Sequence, residues 1–276
     1  MRVAGPIVVR DRFAPLRAEL ITLLAGLGES DWARPAVGRW SVKDVAAHLV
    51  GGDIGILSRE RDAFRPSQAV LSTHRDLVAL VNRLNEEWVV AARRISPRLL
   101  IELLARLGPT AEEYFSSLDL DAIGGPVSWA GPDPAPVWFD VAREYTERWH
   151  HQQQIRDATG RPALYDPYYF APVLDTFVRA LPHSFRGTLA PVGTVIRIEI
   201  TGDAGGVWLL HRLEPAWGLG LDDASAKPVA HVSLAQNTAW RLFTKGIDPL
   251  DARTRVTVQG QTEIVAPIFT TTAIIG

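Results

Sequence analysis

The spacing of apolar residues changes near residue 182, and this change constrains the fold more than any other feature of the chain. Residues 11–27 repeat apolar side chains with a helical period, as an amphipathic helix does. Residues 195–200 alternate apolar and polar side chains, as a half-buried strand does. The sequence therefore predicts a two-domain α+β protein: a helical bundle over residues 1–165 and a small α+β domain over residues 185–276, connected by a helix or linker at 166–184.

Local start and stop signals divide the two parts into elements. Ser41 can cap free backbone amides and Asp44 follows three positions later, which is the capping box of a helix start. Helices are predicted at residues 11–27, 41–64, 73–95, 97–107, 110–118 and 137–158, with a Gly- and Pro-rich loop at 124–136. Strands are predicted at residues 195–200, 207–213, 229–234 and 255–258, and two further helices at 236–244 and 263–275.

Composition excludes several classes of function. The net charge is −2 and the 29 basic residues form no long run, so no nucleic-acid partner is expected. No apolar run reaches the ~18 residues that cross a bilayer, and the apolar N-terminal stretch is too short for a signal-peptide core. We therefore expect a cytoplasmic protein. Because the chain has no cysteine, any thiol chemistry must use a thiol from outside.

A candidate metal site comes from two predicted helices. Glu147 and His151 are four residues apart, so they share a helix face and can reach one ion. A carboxylate and an imidazole suit zinc or a similar divalent metal, and a catalytic zinc has three protein ligands and an open position. His48 is the candidate third ligand. Gly52 and Gly55 lie on its helix face, and we expect these glycines to clear space beside the imidazole.

A simpler interpretation competes with the metal site, since a Glu and a His at this spacing occur by chance on many solvated helices. The opposite side of the helix carries a row of other side chains, Trp138, Ala142, Tyr145 and Trp149. If only that row is buried, Glu147 and His151 face water, so the site requires a helix buried on both sides. His150 competes with His151, because a spacing of three from Glu147 is also permitted.

Two motifs resemble those of a known family. The segment from Trp40 to Leu49, WSVKDVAAHL, resembles the start of the second helix in the mycothiol-dependent maleylpyruvate isomerase family, relatives of DinB-type helical bundles. The later Glu-x-x-x-His helix is similar as well. The resemblance implies a DinB-like four-helix bundle followed by a sterol-carrier-like α+β domain. It also implies that His48, Glu147 and His151 are metal ligands, with zinc the first candidate metal and mycothiol the thiol cosubstrate.

The chain departs from the family pattern in two places. Relatives commonly carry an acid three residues after the second ligand histidine, where Gln154 stands here. Arg241 and Lys245 occupy a stretch where relatives carry a basic residue, and they are predicted to hold an anionic substrate, although a solvated basic face explains them equally well. Further candidates near the substrate are Trp40, Glu144 and His150, with Trp129 and Trp138 as an apolar wall.

The resemblance implies a mycothiol-dependent isomerase or S-transferase, in which a metal-activated thiol attacks an electrophilic small molecule. The expected partners are therefore this thiol and this electrophile, and the protein is expected to be a monomer or homodimer. A first alternative is a non-catalytic binding protein, which a fourth protein ligand such as His150 or Asp44 would favour. A second is metal-dependent hydrolysis with Glu144 as base. Four other histidines have no evident partner and are interpreted as ordinary residues: His74, His183, His211 and His231.

Overall fold

The computed structural model describes residues 3–65 and 73–275, and they form two compact units. The helical unit contains residues 9–65 and 73–120, Glu144–Leu164 and Ile275. The sheet unit contains residues 3–8, Asp121–Arg143 and Tyr165–Ile274. The predicted α+β fold class, with helices first and a sheet-containing part second, is confirmed. The boundaries predicted for two sequence-contiguous domains stay a prediction.

Five helices build the helical unit, the last of which begins in the sheet unit. They are α1 Phe13–Ala25, α2 Val42–Gly55, α3 His74–Ala92, α4 Pro97–Ser117 and α5 Val137–Thr159. Short 3-10 turns lie at Arg10–Arg12 and Glu29–Ala33, and a short hairpin, β1 Pro35–Val37 and β2 Trp40–Ser41, leads into α2. The core of this unit contains apolar side chains of α1, α2 and α4 together with Trp32, Ala92 of α3 and Ile155 of α5.

Helix α2 begins where the capping box predicts. The Ser41 hydroxyl accepts from the Asp44 backbone N–H at 3.2 Å, and the Asp44 carboxylate accepts from the Ser41 N–H at 3.1 Å. Arg93 also donates to Asp44, at 3.1 Å. The start of α2, and so the position of His48 two turns later, is therefore fixed by the capping box that the sequence predicts and by the Arg93 contact that it does not.

Two helix predictions in this unit are wrong in detail. Residues 97–107 and 110–118 are not separate helices, because α4 runs unbroken from Pro97 to Ser117 with Pro109 inside it. The predicted helix to residue 64 is α-helical only to Gly55 and continues as one π-helical turn, Ile56–Arg61. The helix predicted from 73 begins at His74, and residues 66–72 lie outside the described part.

The sheet unit contains one five-stranded sheet. Its strands are β3 Val195–Thr201, β4 Gly206–Arg212, β5 Trp217–Leu221, β6 Ala230–Ala235 and β7 Val256–Gly260, in the order β5-β4-β3-β6-β7. All neighbours are antiparallel except β3 and β6, which are parallel. The alternation in β3 places Ile196, Ile198 and Ile200 on the buried face, as predicted. Strand β5 was not predicted.

Helices accompany this sheet within the same unit: α6 Pro167–Val178, α7 Leu181–Ser184, α8 Gln236–Phe243 and α9 Pro249–Arg253. The helix predicted at 263–275 is wrong, because the chain forms a 3-10 helix over Glu263–Thr270 with Pro267 inside it. Proline has no N–H to donate to the helix ladder, so the α-helical pattern is not completed there. Among the described residues, every helix is too short or too polar to cross a bilayer.

Candidate metal centre

The structure brings His48, Glu147 and His151 together. One oxygen of the Glu147 carboxylate, Oε1, lies 3.1 Å from Nε2 of His48 and 3.0 Å from Nε2 of His151. The two imidazole rings are 4.6 Å apart between centroids and nearly perpendicular, at 74°. One ligand atom from each of the three residues lies within 4.8 Å of the other two.

Two helices position these side chains. Glu147 and His151 project from one face of α5 because they are four residues apart, and His48 faces them from the middle of α2. Helix α5 is buried on both sides: Tyr145 and Trp149 have no exposed surface, and His151 retains only 8%. His151 is therefore shielded from solvent, whereas the Glu147 side chain retains 36% of its surface, so the sequence-based objection is removed for the imidazole but only in part for the carboxylate.

The electrostatics of the cluster depend on burial and on the shared carboxylate. Burial would raise the pKa of the Glu147 carboxyl, but His151 and His48 hold it well below its ordinary value. Burial lowers the pKa of His48 despite the hydrogen bond to Glu147. The pKa of His151 is raised in spite of burial, because Glu147 and Gln154 favour its charged form.

Gln154 orients the imidazole of His151. Its Oε1 lies 2.8 Å from Nδ1 of His151, and its Nε2 lies 2.9 Å from Nε2 of His150. The amide oxygen accepts from His151 Nδ1–H, so Nε2 of His151 is the nitrogen directed at the cluster. The amide N–H donates to His150, which requires a neutral imidazole there, and burial lowers the pKa of His150 to about 3.

Three further candidates lie in the same unit. The Trp40 indole is 5.1 Å from the His48 ring between centroids, and its N–H donates to Glu86 at 3.0 Å. His150 stacks on His151 at 5.1 Å. The Glu144 carboxylate is one turn before Glu147 and accepts from Arg148 at 2.9 Å. Trp40 and His150 therefore flank the cluster, whereas Glu144 is engaged with an arginine.

Arg241 and Lys245 belong to the sheet unit. Arg241 is on α8, where its guanidinium lies 4.4 Å from the Trp240 ring centroid and donates to Asn237 at 3.0 Å. Lys245 follows the helix in a left-handed backbone conformation, with φ of 59°. Trp129 and Trp138 also belong to this unit, where both contact Phe139. A substrate-binding role for these residues stays a prediction.

The space-clearing role expected for Gly52 and Gly55 stays a prediction. An added Cβ at Gly52 would have no neighbour within 4 Å, and at Gly55 the nearest atoms would belong to Arg59. The glycine with a close neighbour is Gly51, where an added Cβ would lie 2.5 Å from the Trp88 indole. This indole donates to the Ala47 carbonyl at 2.7 Å. Gly51 thus lets α2 pack closely against Trp88 of α3.

Sequence reasoning missed a second pair of residues that connects the same two helices. Asp53 of α2 accepts from Arg148 of α5 at 2.7 Å. The signal available beforehand was weak: an aspartate in an apolar helix and an arginine four residues after Glu144. Asp44, a suggested fourth ligand, is engaged by Arg93 and Ser41 instead.

The cluster fits a divalent metal by its donor set. Two atoms each about 2.1 Å from a tetrahedral zinc ion are about 3.4 Å apart, and the Glu147 oxygen is 3.0–3.1 Å from the two imidazole nitrogens. One carboxylate and two imidazoles leave a coordination position for a further group. Among the described residues, His48, Glu147 and His151 form the one group of three or more histidines and acids that lie close enough together to share an ion.

The fold of the chain is similar to that of solved structures. The chain resembles two crystal structures of the mycothiol-dependent maleylpyruvate isomerase, one of them a point mutant, with 12% identity, coverage of 94% of this chain and 95% of that chain, and a TM-score of 0.53. At this identity the likeness shows the fold alone. A sterol carrier protein 2 from Yarrowia lipolytica is 13% identical over 49% of this chain and 86% of its own, but its TM-score of 0.23 carries no argument.

No curated protein matches the chain by sequence. The family described as the mycothiol maleylpyruvate isomerase N-terminal domain does match, over residues 13–156. This match covers more than half of the 276 residues and includes His48, Glu147 and His151. The chain belongs to the mycothiol-dependent maleylpyruvate isomerase family.

Proposed function

We propose that this protein is a metal-dependent, thiol-using isomerase whose divalent metal, zinc first among the candidates, is held by His48, Glu147 and His151. The observation that carries the proposal is the convergence of these three side chains on one point from α2 and α5. Family membership supports an enzyme that uses mycothiol as its thiol. The site and the family thus support the same chemistry from independent directions.

The residues of the chain have distinct tasks in this proposal. When bound, a dication would lower the pKa of a coordinated thiol and so supply a thiolate at neutral pH. His48, Glu147 and His151 would hold the ion, each imidazole through an unprotonated Nε2. The Gln154 amide oxygen accepts a hydrogen bond from Nδ1–H of His151 and so keeps the ring oriented.

The thiolate would attack an electrophilic carbon of the second substrate. Addition to a conjugated double bond, rotation and elimination of the thiol give cis–trans isomerisation with the thiol regenerated. Retention of the adduct would instead make the protein an S-transferase. Isomerisation is proposed because the family is named for it. Arg241 and Lys245 are proposed to neutralise a carboxylate of the substrate, and Trp40 to line an apolar wall.

Metal analysis tests this function directly. We expect purified wild-type protein in metal-replete buffer to bind about one equivalent of zinc, and His48→Ala, Glu147→Gln and His151→Ala to bind it at least ~100-fold more weakly, because each removes a ligand. His231→Ala is the matched control, since His231 pairs with Glu199 at 2.8 Å in the sheet unit. Equal metal content in all five proteins would refute the site.

Activity assays then separate the chemical alternatives. Isomerisation of maleylpyruvate that requires both mycothiol and the metal would support the proposal. Accumulation of a stable thiol adduct would support S-transfer, and turnover of an ester or amide without any thiol would support hydrolysis. A metal-loaded protein that shows none of these activities and binds a ligand unchanged would support the non-catalytic alternative.

A further inference from the structure

A buried ionic cluster connects α2 and α5, the two helices that carry the candidate metal centre. Arg148 of α5 donates to Asp53 of α2 at 2.7 Å and to the Glu144 carboxylate at 2.9 Å. The Arg148 guanidinium also donates to the Glu144 backbone carbonyl, at 2.9 Å. The Asp53 and Arg148 side chains retain only 7% and 17% of their surface, so the pair is shielded from solvent.

The guanidinium is held by the other helices as well. It lies 5.5 Å from the ring centroid of Phe13 on α1 and 5.4 Å from that of Phe115 on α4. Burial alone would lower the pKa of Arg148, but Asp53 and Glu144 raise it, so the group stays charged. Arg148 is therefore fixed by contacts from four helices of the unit.

The cluster is not shaped to bind a ligand. Arg148 and Asp53 line a cavity between α1, α2, α4 and α5 with a volume of about 30 Å³, which is room for about one water molecule. Protein carboxylates already engage the guanidinium on both sides. A substrate anion would have to displace them, so the role of the cluster must be sought in what it does to the helices.

Its place in the fold suggests that role. Arg148 follows Glu147 directly, about 100° further around α5, and Asp53 lies five residues after His48, about 7.5 Å along the axis of α2. The contacts His48–Glu147 and Asp53–Arg148 thus join α2 and α5 at points about 7.5 Å apart along α2 and about 100° apart around α5. Two such contacts fix both the rotation and the axial shift of one helix against the other.

We infer that Arg148 is a positioning residue for the candidate metal centre, because its pairing with Asp53 of α2 sets the rotation of α5 that places the Glu147 carboxylate between the imidazoles of His48 and His151. This inference rests on the proposed function. Rotating α5 by about 20° would move atoms about 6 Å from its axis by about 2 Å. Metal ligands tolerate displacements of about 0.2 Å, so the site depends on this rotation.

Cobalt binding measures the effect, because Co²⁺ replaces zinc and its visible absorption reports coordination geometry. We expect Asp53→Asn and Arg148→Gln to raise the Kd for Co²⁺ by about 10- to 100-fold, as the loss of supporting contacts around metal ligands does, and to change the absorption band. The double variant Asp53→Leu/Arg148→Met replaces the pair by apolar groups, which is often neutral for stability. It should bind Co²⁺ as weakly as the single variants although it is stably folded.

Glu19→Gln provides the matched control. Glu19 of α1 accepts from Arg156 of α5 at 3.0 Å, so this variant breaks an ion pair of the same helix away from the cluster, and its Kd and spectrum should stay those of the wild type. Folded Asp53 and Arg148 variants with wild-type Kd and spectrum would overturn the inference, as would an equal loss in Glu19→Gln. Failure of the wild type itself to bind Co²⁺ would instead refute the proposed function, and the inference with it.

Discussion

Gly51 and Gly52 are adjacent on α2 but have opposite surroundings, which makes them a sensitive pair of test sites. An added Cβ at Gly51 would lie 2.5 Å from two atoms of the Trp88 indole, whereas one at Gly52 would meet nothing within 4 Å. We expect Gly51→Ala to lower the free energy of unfolding by about 1–3 kcal/mol through overpacking. Gly52→Ala should raise it by up to about 1 kcal/mol through helix propensity. Denaturant unfolding at neutral pH measures both.

Glycine positions also show what single residues reveal before a structure is known. The pairing of Glu147 with His151 was predictable because a helix itself places residues four apart on one face. The role of Gly51 was not, because it depends on which residue of α3 packs against α2. The same holds for Asp53 and Arg148, whose contact joins positions 95 residues apart. Contacts within an element could be read from spacing, whereas the contacts of Gly51 with Trp88 and of Asp53 with Arg148, which join different elements, could not.

The N-terminus of α2 is an element whose stability depends on pH in a defined way. Burial raises the pKa of the Asp44 carboxyl, but Arg93 and Ser41 outweigh it and leave the pKa below its ordinary value. A carboxyl with a depressed pKa stabilises the fold above its unfolded pKa, and this contribution is lost as the pH falls through the folded pKa. We expect Asp44→Asn to cost about 1–2 kcal/mol at pH 7 and progressively less below about pH 4.

Asp76→Asn is the control for that prediction. Asp76 forms the same capping box with Thr73 at the start of α3, accepting from the Thr73 N–H at 2.9 Å, but at an exposed position. We expect a smaller loss of unfolding free energy there, about 0.5 kcal/mol. A difference between wild type and Asp44→Asn that does not change between pH 7 and pH 3.5 would contradict the assigned charge interaction.

Elements were predicted well where the apolar period was unbroken and poorly where a glycine or proline interrupted it. The prediction divided α4 near Gly108 and Pro109, yet the buried side chains Leu104, Ala111 and Phe115 continue one face across this point. Their packing outweighs the local cost of the proline. Strand β5 was missed because its sequence, WGLGL, contains two glycines, which weaken the strand signal. The strand forms because it pairs antiparallel with β4, a contact that the local sequence does not reveal.

At the scale of the whole molecule, the two units differ in how they are assembled from the chain. The segments of the helical unit that carry the site, residues 9–65, 73–120 and Glu144–Leu164, all fall within residues 1–165. The sheet unit draws on three separated segments, including residues 3–8 and Asp121–Arg143. Arg179 of α6, for example, donates to the carbonyls of Ala4 and Gly5 at 3.2 and 2.9 Å. The segments of the helical unit that carry the site can therefore be obtained from a single continuous fragment, whereas the segments of the sheet unit cannot be obtained from residues 166–276 alone.

This difference predicts how fragments behave. Residues 1–165 contain His48, Glu147, His151 and the Asp53–Arg148 pair, so we expect that fragment to fold as a helical protein and to bind Co²⁺ within about tenfold of the full-length Kd, since its ligands and their supports are retained. Residues 166–276 lack two segments of the sheet unit, and we expect no cooperative unfolding transition from them.

Circular dichroism, denaturant titration and Co²⁺ absorption test the behaviour of both fragments, with Glu147→Gln in fragment 1–165 as the control for site-specific binding. A helical fragment 1–165 that binds no Co²⁺, although the full-length protein does, would mean that residues beyond 165 complete the coordination, and the assignment of three ligands to two helices would have to be revised.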